Sequence, residues 1–264
     1  MSRPVAIVTG GTSGIGRETA AALRSAGCRV YTVSRRPAPL QGTAHFSADV
    51  TDEAAVEAAV KAIYQEAGAV DILINCAGFG ISGAVEFTAS EEAKRQFDVN
   101  FFGMVNMNKA VIPLMRQAGG GRIVNISSVA APVPIPFQTY YSASKAAINN
   151  YTMALANELK PFGISLCAIQ PGDIATGFTD ARAKSAAGDD IYEGRIAKSV
   201  AKMEKDEKGG GSAVAAGRYI AKIALKKKVK PLYAIGFAYK AVCVLMKILP
   251  CRLANSIIGR LYAG

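Results

Sequence analysis

The sequence predicts a single doubly wound α/β domain built on a parallel sheet, and three observations carry that expectation. Short apolar runs alternate with helix-period stretches along the chain, the runs are predominantly hydrophobic instead of alternating, and a glycine-rich turn joins the first run to the first helical stretch. Strands buried on both faces belong to parallel sheets covered by helices, and right-handed crossovers then distribute those helices over both faces. With 264 residues the chain is long enough to bury its own core.

Taken in order, strands are expected at 5–8 (Val-Ala-Ile-Val), 29–33, 71–75, 122–127 and 165–170. Helices are expected between them at 15–26, 53–67, 91–117 and 140–161. From 177 to 212 charged and small residues replace this rhythm and end in Gly209, Gly210 and Gly211. An interruption of that length reads as a lid. Tyr192, Ile196, Val200 and Met203 fall at helical spacing within it, so part of the insert is expected as an amphipathic helix lying over something.

Beyond it, 213–228 has helical periodicity, 231–235 fits a last strand, and 237–249 is helical up to Pro250. The last of these is apolar around its axis except for a strip with Lys240 and Lys247, which predicts burial in a subunit contact or a membrane. The two lysines leave apolar stretches too short to span a bilayer. An oligomer contact or a substrate-pocket element with a solvated basic face is the expected role of this segment; peripheral contact with an anionic membrane surface, which basic amphipathic segments suit, is the alternative.

The formal net charge of +11 suggests nucleic acid until it is located. All 20 acidic residues precede residue 208 and are balanced by 20 of the 31 Lys and Arg; the other 11 stand on the acid-free segment 208–264. Without a recognised motif or an aromatic-interleaved basic strip, nucleic-acid binding is not expected. Five widely spaced cysteines without C-x-x-C fit a reducing, cytoplasmic setting. The single histidine, His45, leaves no zinc cluster or histidine triad to build, so no metal is expected. The amino terminus shows no export signal.

After the first strand comes Thr9-Gly10-Gly11-Thr12-Ser13-Gly14-Ile15-Gly16. Such glycines let backbone amides approach a pyrophosphate, and the helix that follows turns its positive end to the anion, as in Rossmann-type sheets. Gly11 and Gly16 have the separation of a P-loop, but Arg17 and Glu18 stand where that motif needs Lys and Ser or Thr.

The spacing Thr-Gly-x-x-x-Gly-x-Gly resembles that of the short-chain dehydrogenase/reductase family. Further matches follow in that family's order: Asp49-Val50, Asn75-Cys76-Ala77-Gly78, Asn100, Ser128, Tyr141-x-x-x-Lys145, and Pro171-Gly172 with Ile174 and Thr176. The resemblance implies that Gly10, Gly14 and Gly16 shape the pyrophosphate site, with Thr12, Ser13 and Ile15 in the same turn, that Asp49 bonds the adenine amino group, and that the Asn75 segment steadies the strands beside the cofactor. Cys76 stands where the family usually has a second asparagine.

Hydride transfer to a carbonyl leaves an alkoxide that must be protonated, so the site needs a donor of adjustable pKa. Tyr141 and Lys145 are one helical turn apart, and an ammonium there favours the phenolate. Tyr141 is therefore expected as general acid/base, with Lys145 lowering its pKa and, by resemblance, holding the nicotinamide ribose. By the same resemblance Ser128 bonds the substrate oxygen and Asn100 holds a water in the proton relay.

Ser34-Arg35-Arg36 occupies the end of the second strand, where an acid would bind the ribose of NAD; two guanidinium groups instead suit a 2′-phosphate, with Thr12 or Ser13 adding hydroxyls. NADP(H) is the expected cofactor. Segment 129–139 and the lid, with Phe137, Phe178, Tyr192, Ile196 and Val200, suggest an apolar substrate wall for a steroid, retinoid or acyl-lipid carbonyl or alcohol. The competing reading is a non-catalytic NADP(H)-sensing or scaffold protein on the same fold. A homodimer or homotetramer through the helices at 91–117 and 140–161 is implied by resemblance.

Overall fold

A computed structural model describes residues 3–38 and 40–264. Seven strands form one sheet: β1 (Val5–Thr9), β2 (Arg29–Ser34), β3 (Ala44–Ser47), β4 (Ile72–Asn75), β5 (Gly121–Ile126), β6 (Ile164–Gln170) and β7 (Leu232–Ala234). Their order is β7-β6-β5-β4-β1-β2-β3, every pairing parallel. Around the sheet lie α1 (Gly14–Ser25), α2 (Glu53–Ala67), α3 (Ser90–Phe97), α4 (Gly103–Gln117), α5 (Thr139–Leu159), α6 (Phe178–Ala181), α7 (Arg195–Lys208), α8 (Ala213–Ala224), α9 (Phe237–Ile248) and α10 (Cys251–Tyr262).

Successive side chains of a strand point to opposite faces. Thus Val5 and Ile7 of β1 pack with Val56 and Ile63 of α2, Met107 and Val111 of α4 and Leu155 of α5. Ala6 and Val8 pack on the other face with Ala20 and Leu23 of α1 and Ile220 and Ile223 of α8. Each fully buried Leu or Ile contributes roughly 1.5–3 kcal/mol, so these two layers hold the sheet. Helix α2 is bounded as its ends require: the Asp52 carboxylate accepts from the Ala55 amide at 3.0 Å, and Gly68 leaves at φ +77.

Three details depart from the sequence expectation. The edge strand β3 is half-buried and contains His45, so it lacks the apolar run that marks the others. The helix expected at 91–117 is continuous but carries a π turn at Asp98–Phe102, which sets Asn100 at a widened turn. The chain after Pro250 forms α10, and α9 is not buried within one chain: only Cys243 is, while Phe237 is 89% exposed and Ile248 73%. Helix α9 meets the fold along a single side, through Tyr239 and Cys243 against Val129 and Ala234.

Among the described residues no helix is long and apolar enough to cross a membrane.

Candidate active site

The strand order reverses beside β1, and the crevice at the carboxyl ends of β1, β4, β5 and β6 opens into a cavity of about 680 Å³. At one end Gly10, Ser13, Gly14, Ile15 and Gly16 line it. Gly10 adopts φ +63, and a Cβ at Gly16 would collide with the Gly10 carbonyl, so the turn closes only with glycine there. Ser13 precedes α1 without a side-chain cap. The first amides of α1 are thus left to an outside acceptor, as a pyrophosphate cradle requires. Thr9 Oγ1 accepts from the amides of Cys76 (3.0 Å) and Ala77 (3.1 Å), tying this turn to the loop after β4. Ala77 and Gly78 line the cavity from that loop, and Pro171, Gly172, Ile174 and Thr176 line it from the segment after β6.

Midway along the cavity stand Ser128, Tyr141 and Lys145. Both α5 residues face inward, with Lys145 Nζ 5.5 Å from the Tyr141 ring centre and donating to the Ile126 carbonyl at 2.9 Å. Burial pushes the Tyr141 phenol up to about 12, against the pull of Ser128 and the Arg182 charge, while Glu207 and Asp173 push it further up. Burial brings Lys145 down to about 8. Spacing alone predicts a lowered phenol; here desolvation disfavours the charged form of both groups and sets the direction of both shifts.

Asn100 is buried, but its side chain is committed elsewhere. Oδ1 accepts from the Phe79 amide and Nδ2 donates to the Phe79 carbonyl, each at 3.0 Å, with a further contact of 3.3 Å to Ser144 Oγ. The side chain clamps the loop after Gly78.

At the end of β2, Thr12 Oγ1 lies 3.3 Å from Ser34 Oγ, which donates to the Arg36 carbonyl at 2.8 Å. Arg35 and Arg36 are exposed, Arg35 standing 3.9 Å from the Asp49 carboxylate. Asp49 Oδ1 accepts from the amide and hydroxyl of Thr51. None of Thr12, Ser34, Arg35, Arg36 and Asp49 is on the cavity wall: Thr12 is in the glycine turn, Ser34 ends β2 beside it with Arg35 and Arg36 following, and Asp49 comes just after β3.

The side chains of Val50 and Asn75 face the core: Val50 is buried against Gly103, and Asn75 Nδ2 donates to Asn108 Oδ1 (2.8 Å) and Asn125 Oδ1 (2.9 Å), cross-linking the strands beside the cavity and leaving only the backbone of these two residues for a cofactor.

The other end is apolar, with Val133, Ile135, Phe178, Val242, Leu245 and Met246 on its wall. The Phe178 ring centre is 5.7 Å from that of Tyr141. Phe137, expected here, is not on the wall. At φ +59 it turns beneath the insert, packing on Ile196 and edge-on to Tyr192 at 5.6 Å. Ile196 and Met203 of α7 are buried as their spacing predicts, but Tyr192 precedes the helix and donates to Glu86 at 2.7 Å.

Several cavity groups escaped the sequence reading. Arg182, with a wholly buried side chain, pairs with Glu207 of α7, which also accepts from Thr179 Oγ1 at 2.7 Å. Asp173 accepts from the Tyr239 hydroxyl at 2.5 Å, linking the turn after β6 to α9. Burial raises Asp173, and burial with the Asp173 bond takes Tyr239 up to about 12. The one available signal was the charge-rich character of the insert, which does not say which charges turn inward.

Among the described residues no group of three His, Cys, Asp or Glu could hold a metal ion.

Residues 4–187 match the family model for short chain dehydrogenase. A curated relative, 3-ketodihydrosphingosine reductase of Bacteroides thetaiotaomicron, is 42% identical over 247 residues, covering 90% of this chain and 92% of that one. A probable short-chain type dehydrogenase/reductase of Helicobacter pylori is 32% identical, covering 98% of each. Among solved structures, a short-chain dehydrogenase from Streptomyces avermitilis superposes with a TM-score of 0.83 at 29% identity, over 99% of this chain and 95% of that one. The 3-ketoacyl-(acyl-carrier-protein) reductase of Brucella melitensis, solved with NADH, gives 0.74 at 26% identity, over 88% of this chain and 96% of that one. The chain belongs to the short-chain dehydrogenase family and is an oxidoreductase acting on CH–OH and carbonyl groups with a nicotinamide cofactor.

Proposed function

We propose that this enzyme uses NADP(H) to interconvert a hydrophobic ketone or aldehyde and its alcohol, with an acyl-lipid carbonyl as the substrate class. The observation that carries this reading is the cavity itself: the Tyr141 and Lys145 pair stands between a glycine cradle and an apolar wall. The steroid and retinoid classes share that apolar requirement; the relative named for 3-ketodihydrosphingosine favours the acyl-lipid one.

The amides around Gly14 and Gly16 hold the pyrophosphate, and Lys145 holds the nicotinamide ribose. When bound, the reduced nicotinamide supplies hydride to the substrate carbonyl carbon. Ser128 orients the carbonyl oxygen and Tyr141 donates its phenolic proton to it as charge develops there. Lys145, still charged at neutral pH but with its proton loosened by burial, returns a proton to the phenolate with the help of Asn100 and water. Desolvation by the apolar wall strengthens each of these bonds. Arg35 and Arg36 take the 2′-phosphate in a paired, charge-assisted clasp, and an NADPH preference favours reduction in a cell.

The whole chain is read as one domain in which 177–212 forms a lid and 213–264 an appended segment. Met203 and Glu207 on the cavity wall support the lid. Exposed Phe102, between α3 and α4, and Met153 on α5 support a homodimer or homotetramer through that helical layer.

Tyr141→Phe removes only the ionisable oxygen. It is expected to keep NADPH binding, followed by nucleotide fluorescence, and to lose turnover by about 10³-fold or more. Retained turnover refutes the assignment.

A further inference from the structure

We infer that the α9 and α10 pair is a docking element for an anionic lipid surface, set so that the mouth of the cavity meets the bilayer. Of the sixteen large apolar side chains exposed on the described residues, eight belong to these two helices. An exposed apolar patch of this density marks a contact surface.

On α9, Phe237, Val244 and Ile248 are seven and four residues apart and share one face, pointing away from the fold at 89%, 56% and 73% exposure. Lys240 and Lys247, three residues after Phe237 and Val244, run beside that stripe. On α10, Leu253, Ile257 and Leu261 form a second exposed stripe, with Arg252 and Arg260 near it. Apolar stripes edged by cations match the depth profile of a bilayer interface, where the rings and aliphatic chains sink below the headgroups and the cations stay level with the phosphates.

Charge selects the occupant. No acidic residue occurs from 208 to 264. A second copy meeting this face across a two-fold axis would set one cationic, acid-free surface against itself, which like charges oppose. Anionic lipid complements it.

The same helices wall the cavity. Leu245, Ile257 and Leu261 are both exposed and on its lining, so the two helices present apolar side chains both to the outer surface and to the cavity that holds Tyr141. A long-chain substrate can pass from the bilayer to Tyr141 without its chain crossing water. That delivery step rests on the acyl-lipid reading proposed above; the docking itself does not.

The test uses the full chain and vesicles of phosphatidylglycerol and phosphatidylcholine. The wild type is expected to pellet with them at low salt and to be largely released by roughly tenfold more salt, because screening shortens the reach of its cations. The variant F237S/V244S/I248S changes exposed positions off the cavity wall, and a thermal melt checks that it is folded. It should stay in the supernatant, turn over a short water-soluble ketone with NADPH as the wild type does, and lose at least tenfold on a long-chain ketone held in vesicles.

Lys247→Gln should weaken binding on the order of fivefold without touching the stripe. Absence of pelleting at low salt, or equal pelleting of wild type and triple variant, overturns the docking. So does a wild-type dimer that the triple variant dissociates and that ignores vesicles, which would assign the face to a second copy. Vesicle binding without turnover of any carbonyl would sink the acyl-lipid reading while supporting the docking.

Discussion

Replacing Lys145 by methionine is expected to stabilise the protein while abolishing its chemistry. The Lys145 ammonium is buried, and its pKa falls from 10.5 to about 8. That difference corresponds to about 3 kcal/mol by which the folded state disfavours the proton. Because the folded value lies below the unfolded one, the penalty is present in full below pH 8 and is relieved as pH rises toward 10.5. Methionine keeps the length and apolar stem but gives up the 2.9 Å bond to the Ile126 carbonyl, a loss of about 1–2 kcal/mol.

The net gain at neutral pH is therefore about 1–2 kcal/mol, or roughly 2–4 °C in melting temperature for a chain of this size. By about pH 9.5 most of it should vanish, since the wild type has by then shed its charge. Cys76 and Tyr141, pushed up to about 11 and about 12 by burial, stay protonated in both proteins across this range and so add little to the difference. Thermal melts of both proteins without nucleotide, at the two pH values, read the effect directly. A variant less stable than wild type at neutral pH, or an advantage that grows with pH, would refute the reasoning.

Two further substitutions probe the ends of the cavity. Arg35→Glu places an acid where the 2′-phosphate is expected and should lower kcat/KM for NADPH by about 10- to 100-fold while sparing NADH. Equal losses with the two nucleotides would show that Arg35 does not read the phosphate. Glu207→Ala strips the buried Arg182 of its ion-pair partner, where Nε and Nη1 already lack hydrogen bonds. A loss of about 3–5 kcal/mol, or roughly 6–10 °C, is expected in a melt, and the basic limb of the rate profile for carbonyl reduction should move to lower pH, since Glu207 pushes the Tyr141 pKa up. An unchanged melting temperature would mean that the pair does not hold α7 in place.

The parallel order of the main strands was legible because strands buried on both faces are mostly apolar instead of alternating, and 5–8, 29–33, 71–75, 122–127 and 165–170 each carry an apolar core, with polar residues mainly at their ends. The edge strand β3 was not, since an edge needs only one covered face and Ala44–Ser47 shows no uniform run. Tyr141 and Lys145 were legible because their juxtaposition is local, one turn of α5, and the glycine turn because its backbone can close only without side chains. Phe137 was misdirected: it lies in the segment that follows Ser128, but a positive φ turns its side chain away from the cavity.

By itself, then, the sequence determined what local geometry dictates: the α/β rhythm, the phosphate turn, the Tyr141 and Lys145 pair, and the segregation of the excess positive charge beyond residue 207. Only the tertiary structure decided what depends on groups distant in the chain. It joined Arg182 to Glu207 and Asp173 to Tyr239, and it turned the apolar residues of α9 partly into the cavity and partly outward. It also reversed the simple electrostatic expectation for Tyr141 and Lys145, because spacing reports which charges are near but desolvation depends on everything packed around them.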